Sequence, residues 1–125
     1  GWQIVVADGH AVLPEGMTHL PDQAFGCRTS LVSVAFPSSL VSIGSHAFCC
    51  TSLRSVTFPA SLTSVGGYAF YKCSALAAID LPAGLTSVGS FAFYDCSSIA
   101  SITFPAGLTS IGSFAFYDCS SIASI

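Results

Sequence analysis

The residues best suited to chemistry in this chain of 125 residues are its six cysteines. An even number of cysteines in a short chain is typical of a disulfide scaffold. Cys73, Cys96 and Cys119, however, recur at one position of a repeated phrase. They would form a ladder inside a stack of coils, where a free cysteine packs as a small apolar group. We therefore predict buried thiols, although coils about 4.8 Å apart would also permit disulfides between them.

The other three cysteines lie where the repeat is irregular. Cys49 and Cys50 are adjacent in sequence, and Cys27 stands one repeat earlier. A metal site would require a second cysteine pair or flanking histidines at ligand spacing. His46 is near but alone, so the sequence predicts no metal ion and no cofactor.

The remaining reactive residues are too scattered for catalysis, which needs a nucleophile, a base within reach and an orienting group. His10, His19 and His46 are the only histidines, and the last two replace ordinary residues of the repeat. Asp95 and Asp118 share one turn position and are typical of solvated turn residues. We predict that the chain is not an enzyme.

Composition excludes further classes of protein. Hydrophobic residues make up 52% of the chain and charged residues 7%, the opposite of a disordered composition. A net charge of −3 with three cationic side chains leaves no surface that could follow phosphates, so we expect no nucleic-acid partner. The mean hydropathy is +0.74, but proline, glycine, serine and threonine interrupt every apolar run. A spanning helix needs about 20 predominantly apolar residues, so we predict none.

The chain is organised as a repeat of about 23 residues. The pair Ala-Phe recurs at 24–25, 47–48, 69–70, 92–93 and 115–116, in steps of 23, 22, 23 and 23. A strict period in the twenties indicates a solenoid, in which each coil buries its apolar face on its neighbours. The phenylalanines of these pairs should therefore stack in the interior.

The segment before each repeat's proline alternates like a short strand: LVSVAF, LRSVTF, LAAIDL and IASITF. Stacked coils would place these strands side by side as one parallel sheet, with Val34, Val56, Ile79 and Ile102 pointing inward. The glycine at 44, 66, 89 and 112 favours a tight bend with unusual backbone angles.

The phrase LTSVGSFAFYDCSSIASITFP at 85–105, repeated with Ile for Val at 111, resembles the BspA-like, treponemal-type class of leucine-rich repeats. The resemblance covers residues 14–125. It implies a right-handed leucine-rich-repeat solenoid of α/β type, mostly strand and turn, with strands on one face and irregular turns on the other. Two units depart from the pattern: the first moves Cys27 one place early, and the second is one residue short. We expect both coils to be distorted.

These boundaries predict a domain organisation. Residues 1–13 alternate like a strand at Trp2, Ile4 and Val6 and would cap the first coil. Five repeats would follow at 14–36, 37–58, 59–81, 82–104 and 105–125. We expect no C-terminal cap, and hence an end-to-end contact at the last coil.

Two surfaces are candidates for protein binding. The first is the outward side of the strands, small, polar and nearly uncharged, with Ser55, Thr57, Asp80, Ser101 and Thr103. The second consists of aromatic residues flanking the core Ala-Phe pair: Tyr68, Phe91 and Phe114 before it, and Tyr71, Tyr94 and Tyr117 after it. These rings either project outward as a contact surface or pack between coils.

The function predicted is a non-catalytic leucine-rich-repeat scaffold for protein–protein interaction, packed as a subunit or fragment in a larger assembly. One alternative is a cell-surface adhesion or ligand-binding repeat protein, since the family resemblance implies a surface or extracellular location. A second alternative is an ice-binding solenoid, because Thr63, Thr86 and Thr109 align beside a row of serines. Val41 interrupts that threonine row.

Overall fold

The chain forms a β-solenoid of about 4 turns in a computed structural model, described for residues 5–100 and 102–119. Within these ranges the secondary structure consists of short strands and turns, with no helix. The strands are β1 (Val5–Ala7), β2 (His10–Val12), β3 (His19–Leu20), β4 (Ser33–Ala35), β5 (Ser42–Ile43), β6 (Ser55–Thr57), β7 (Ser64–Val65), β8 (Ala78–Asp80), β9 (Ser87–Val88) and β10 (Ser110–Ile111). The predicted solenoid, mostly strand and turn, is confirmed.

One side of the solenoid carries the strands that the alternation predicts. Strands β2 and β4 pair in parallel, as do β6 and β8, while β1 folds back antiparallel onto β2. The inward residues Val56, Ile79 and Ile102 are buried, and Val34 is half-buried. The cap predicted for residues 1–13 stays a prediction, because Trp2 and Ile4 lie outside the described residues. Val6 is 38% exposed.

The opposite side carries a second parallel sheet, which the prediction of one sheet and irregular turns lacked. Its five strands lie in the order β10-β9-β7-β5-β3. The pairing aligns the serines Ser42, Ser64, Ser87 and Ser110 in one row. The next residue in three of these strands, Ile43, Val65 or Val88, is buried in the core. A two-residue strand is too short to be recognised from alternation in sequence.

The shortened second unit perturbs only the first side. Strands β4 and β6 belong to separate sheets. The sheet on this side is therefore interrupted at the unit that is one residue short. The turns around the irregular cysteines stay regular: the amide of Cys27 donates to the carbonyl of Cys49 at 2.7 Å, and that of Cys50 to Tyr71 at 2.7 Å. Lys72 makes the same bond to Tyr94 at 2.7 Å in a full-length unit. The expected distortion is therefore absent from these turns.

The core is built on the predicted phenylalanine column. Successive rings are stacked with centroids 5.1–5.3 Å apart from Phe25 to Phe116. The three middle rings, Phe48, Phe70 and Phe93, are completely buried. Phenylalanines of the strand segments meet this column edge-on, as Phe58 does against Phe70 at 5.8 Å. Each buried ring removes roughly 150–250 Å² of surface from water, so the column is the main source of stability.

The repeated glycines allow close packing of the coils and do not adopt a special backbone conformation. The prediction of unusual backbone angles at these glycines is therefore wrong. Positive φ among glycines occurs at Gly9 and Gly16, not at 44, 66, 89 or 112. A Cβ on Gly89 would lie 2.4 Å from the amide nitrogen of Gly67, and one on Gly112 would lie 2.2 Å from that of Ser90. The absence of a side chain is what allows successive coils to approach.

The left-handed backbone conformation is adopted instead by residues with side chains. Two columns carry it, with φ between 57° and 62°. One contains Gln23, His46, Tyr68, Phe91 and Phe114, and the other contains Cys27, Cys50, Lys72, Asp95 and Asp118. Such conformations cost on the order of 1 kcal/mol each and persist only where surrounding structure holds them. Here the backbone bonds between neighbouring turns, most of them 2.7–3.0 Å long, supply that constraint.

Replacing Phe70 with alanine tests the phenylalanine column. Its ring lies 5.2 Å from Phe48 and 5.1 Å from Phe93, so the change opens a cavity between both neighbours. We expect the free energy of unfolding to fall by about 3–5 kcal/mol, measured by urea denaturation. Phe116→Ala, at the half-buried end of the column, should cost less, and equal losses would contradict the stacked core.

A matched pair of glycine substitutions tests the packing of the coils. Gly89→Ala forces backbone atoms of the preceding coil apart, with an expected cost of at least about 1–3 kcal/mol. Gly107→Ala places its Cβ 3.8 Å from the nearest atom and should change stability by less than about 0.5 kcal/mol. Thermal unfolding measures the stability of both variants, and an unchanged melting temperature in both would contradict a packing role for Gly89.

Candidate functional site

The outward side of β2, β4, β6 and β8, here called the strand face, is polar and thinly charged. Ser55, Thr57, Asp80 and Thr103 are exposed, as predicted, and Ser101 lies outside the described residues. Arg54 is an exposed cation directly before β6. The strand face thus offers hydroxyls and isolated charges, with Val12 of β2 as a large apolar side chain that is 53% exposed.

The predicted aromatic residues form a continuous surface, here called the aromatic ladder. It consists of two columns: Tyr68, Phe91 and Phe114, and Tyr71, Tyr94 and Tyr117. Within a column the rings stack with centroids 4.9–5.5 Å apart. Between columns the two rings of each coil meet at an angle, 5.2–5.4 Å apart. Every ring therefore touches at least two others.

The rings of the aromatic ladder both pack between coils and face solvent, which are the two alternatives that the sequence leaves open. Phe114 and Tyr117 are 56% and 52% exposed, whereas the other four rings are half-buried. Stacking between coils hides part of each ring, and the remainder faces solvent. A contiguous apolar surface of this kind on a folded protein usually has a partner.

Charged groups border the aromatic ladder on one side. The left-handed column next to it carries Lys72, Asp95 and Asp118, and the Lys72 ammonium lies 5.5 Å from the centroid of the Tyr71 ring. Burial raises the pKa of Tyr94 above its usual value, and the Asp118 carboxylate adds to the rise. The phenol of Tyr94 is therefore neutral at physiological pH and available as a hydrogen-bond donor.

The second parallel sheet borders a shallow groove of about 550 Å³, lined by its serine row and the adjacent glycines. The aligned threonines turn their hydroxyls onto the preceding coil: Thr63, Thr86 and Thr109 donate to main-chain carbonyls at 3.1–3.2 Å. Because these hydroxyls are already engaged with the backbone, the threonine row is not an array of free donors. This observation does not favour the ice-binding alternative.

Cys73, Cys96 and Cys119 are buried free thiols, as predicted. Their Sγ atoms donate at 3.1 Å to the carbonyls of Phe48, Phe70 and Phe93 respectively. Burial raises the pKa of the Cys73 thiol to about 11, and it raises that of Cys96 further. These cysteines are inert packing groups at neutral pH.

The three irregular cysteines come together, an arrangement that sequence reasoning missed. The Sγ atoms of Cys27, Cys49 and Cys50 all lie within 4.8 Å of one another, and we call this group the thiol cluster. Linear spacing separates Cys27 from the pair by more than 20 residues. The 23-residue period places Cys27 directly beside Cys50, and that signal would have found the cluster.

The repeat pattern matches a known family model. The model for the BspA-type leucine-rich repeat region matches residues 10–125 in 6 copies. The chain belongs to the BspA-type leucine-rich repeat family. The sequence predicts five units from Pro14, and the match adds one copy. The match begins at β2, which pairs in parallel with β4.

Solved structures similar to this BspA-type chain are bacterial leucine-rich repeat proteins. The T. pallidum leucine-rich repeat protein is 32% identical, with a TM-score of 0.87 over 98% of this chain and 66% of its own. A leucine-rich repeat protein from Bacteroides ovatus is 27% identical, with a TM-score of 0.68 over 94% and 36%. A leucine-rich cell surface protein from Faecalibacterium prausnitzii is 26% identical, with a TM-score of 0.60 over 91% and 40%.

The BspA-type chain thus spans 66% of the first of these relatives and less than half of the other two. Comparison with curated protein sequences gave no match. Across residues 5–100 and 102–119, no helix has the length and hydrophobicity needed to cross a bilayer.

The buried thiols predict that the BspA-type solenoid is less stable in alkaline solution. An unfolded cysteine loses its proton near pH 9, whereas folded Cys73 keeps its proton to about pH 11. The folded state therefore binds more protons between these values, so stability holds below pH 9 and falls as pH rises toward 11. Urea denaturation from pH 7 to 11 under reducing conditions measures the effect.

Cys96→Ser serves as the comparison for this pH dependence. The serine hydroxyl retains a donor for the Phe70 carbonyl but does not titrate in this range. Its stability profile should be flatter than that of the wild type above pH 9. Identical profiles would mean that the buried thiols do not cause the alkaline loss.

Proposed function

We propose that this chain is a non-catalytic repeat scaffold that binds another protein through the aromatic ladder. The observation that carries the proposal is the two-column stack of six rings, of which Phe114 and Tyr117 are more than half exposed. Tyrosine and phenylalanine are enriched at protein interfaces, because they bury large areas at low cost in side-chain entropy.

The aromatic ladder is a better binding surface than the strand face. Its rings are already stacked on one another, so little conformational freedom remains to be lost on association. Lys72, Asp95 and Asp118 along its edge would form a polar rim, the arrangement typical of protein interfaces. The strand face has exposed hydroxyls and isolated charges, which stay well solvated without a partner.

The histidines of the described residues support a non-catalytic role. His19 Nδ1 lies 2.5 Å from Ser42 Oγ, and His10 makes the equivalent contact with Ser33. Both pairs are exposed on the surface, and within the described ranges no carboxylate is hydrogen-bonded to either imidazole. A serine–histidine pair without a group that orients the imidazole is a structural contact between neighbouring coils.

We further propose that the chain is packed as a subunit or fragment in a larger assembly. Ile111, Phe114 and Tyr117 on one coil are 49%, 56% and 52% exposed. Burial of these three side chains against another protein would remove apolar surface from water, which supports packing in a larger assembly. The F. prausnitzii relative is described as a cell surface protein, and this supports adhesion at a cell surface as the alternative setting.

A double substitution, Phe91→Asn with Phe114→Asn, tests the binding role of the aromatic ladder. Both residues have left-handed backbones, with φ of 59° and 57°, which asparagine tolerates. Loss of two adjacent rings of one column should weaken partner binding by at least about 2 kcal/mol, about 30-fold in Kd. The measurement compares proteins retained by immobilised wild-type and variant chains, followed by titration of the retained partner.

Two further variants make this test specific. Asp118→Asn keeps the left-handed backbone and removes no ring, and Asp80→Lys reverses the charge of the strand face. Both should retain the partner. Loss of binding with Asp80→Lys but not with the double variant would transfer the function to the strand face. Sedimentation velocity of the wild type identifies whether the partner is a second copy of this chain.

A further inference from the structure

We infer that the thiol cluster, with His46 beside it, is a binding site for a thiophilic metal ion of the Zn²⁺ type. The proposal concerns Cys27, Cys49 and Cys50, which play no part in the aromatic surface proposed for protein binding. It rests on three thiols from neighbouring coils that lie within 4.8 Å of one another, beside a cavity that His46 also lines.

The backbone holds the three cysteines in place. The Cys27 amide donates to the Cys49 carbonyl at 2.7 Å, which fixes the first coil against the second. Cys49 and Cys50 are consecutive, and their Sγ atoms are 3.5 Å apart. The amide of Cys50 is in turn bonded to the Tyr71 carbonyl of the third coil at 2.7 Å. The thiols are therefore presented by two stacked turns, the second of which is bonded to the third coil, and not by a free loop.

A cavity lies against the cluster because the first two coils lack the tyrosine column of the aromatic ladder. Gly26 occupies the repeat position held in later coils by Tyr71, Tyr94 and Tyr117, so no ring fills the space. The cavity of about 220 Å³ is lined by Gln23, Gly26, Cys27, His46 and Cys49. A Cβ on Gly26 would lie 3.2 Å from the His46 carbonyl, so a larger residue would crowd this opening.

His46 lines the same cavity and is the candidate fourth ligand, outside the group of three Sγ atoms that lie within 4.8 Å of one another. It takes the position of Tyr68, Phe91 and Phe114, and its ring is stacked on Tyr68 with centroids 4.7 Å apart and planes at 5°. This stacking restricts the imidazole to one orientation at the edge of the cavity. Three thiolates and one imidazole form a known donor set for tetrahedral zinc, and soft sulfur ligands select Zn²⁺ or Cu⁺ over harder ions.

The exposure of the cluster allows an ion to enter. Cys27 is exposed, Cys50 is half-buried and Cys49 is buried, so the site is open on one side. Binding of Zn²⁺ replaces one proton on each of the three thiols, forms three Zn–S bonds and releases three protons, with no change in oxidation state. The His46 imidazole would supply the lone pair of a ring nitrogen as the fourth donor.

The test is titration of the reduced protein with Zn²⁺ against a chromogenic chelator, repeated with Co²⁺ to record the visible and thiolate charge-transfer absorption. We expect one ion per chain. Cys27→Asn should lower the affinity at least about 100-fold, since even loss of a residue behind a ligand costs 10–100-fold. Cys27 is exposed with φ of 60°, so asparagine is accommodated there without unfolding the coil.

Two variants test whether Zn²⁺ binds at this site and not at other thiols of the chain. Cys96→Ser removes a thiol from the interior ladder and should leave the Zn²⁺ affinity unchanged. His46→Asn keeps the left-handed backbone at φ of 58° and should weaken binding and alter the Co²⁺ spectrum. An unaltered spectrum would overturn the assignment of His46 as the fourth ligand.

Three results would overturn the site itself. These are no stoichiometric binding by the reduced wild type, equal affinity in Cys27→Asn, or equal losses in Cys27→Asn and Cys96→Ser. Partner binding by the aromatic ladder is measured independently, so failure of the metal site and failure of the proposed function are distinguishable.

Discussion

The face-to-face stacking of the core phenylalanines is the interaction on which the structure depends. A ring-to-ring distance near 5 Å matches the separation of neighbouring strands in a sheet, so side-chain packing and backbone bonding require the same coil height. Because both must hold at every turn, residues one period apart are forced into register. The glycine column follows from the same requirement, since a side chain there would keep the coils apart.

Because residues one period apart are aligned, the sequence at each repeat position determines which side chains line one column of the surface. Each column is a set of equivalent positions whose backbone is fixed, and only the side chains vary. One pair of columns carries rings in the later coils and a thiol, an imidazole and a glycine in the earlier ones. The scaffold therefore supports different chemistry at different heights without any change in its core.

The sequence predicted those features that depend on the period alone. The phenylalanine column, the inward strand residues and the buried cysteines Cys73, Cys96 and Cys119 were all recognised, because equal spacing implies equal environment. The second sheet was missed, since two-residue strands carry no alternation. The role of Gly89 was misjudged because it depends on the backbone of the preceding coil, which local sequence does not describe. The thiol cluster is not predicted because Cys27 stands one place before the cysteine position of the repeat, and only the turn position that it shares with Cys50 brings these thiols together.

The near-identity of the last two units has a consequence for how such a surface evolves. Duplication of one unit would add a complete copy of its outer pair, Phe91 with Tyr94, directly above the existing rings. Valency would rise by one contact with every added coil, while the geometry of those already present stayed constant. A lineage could in this way adjust the avidity of the whole array by copy number, with no need to redesign any single contact.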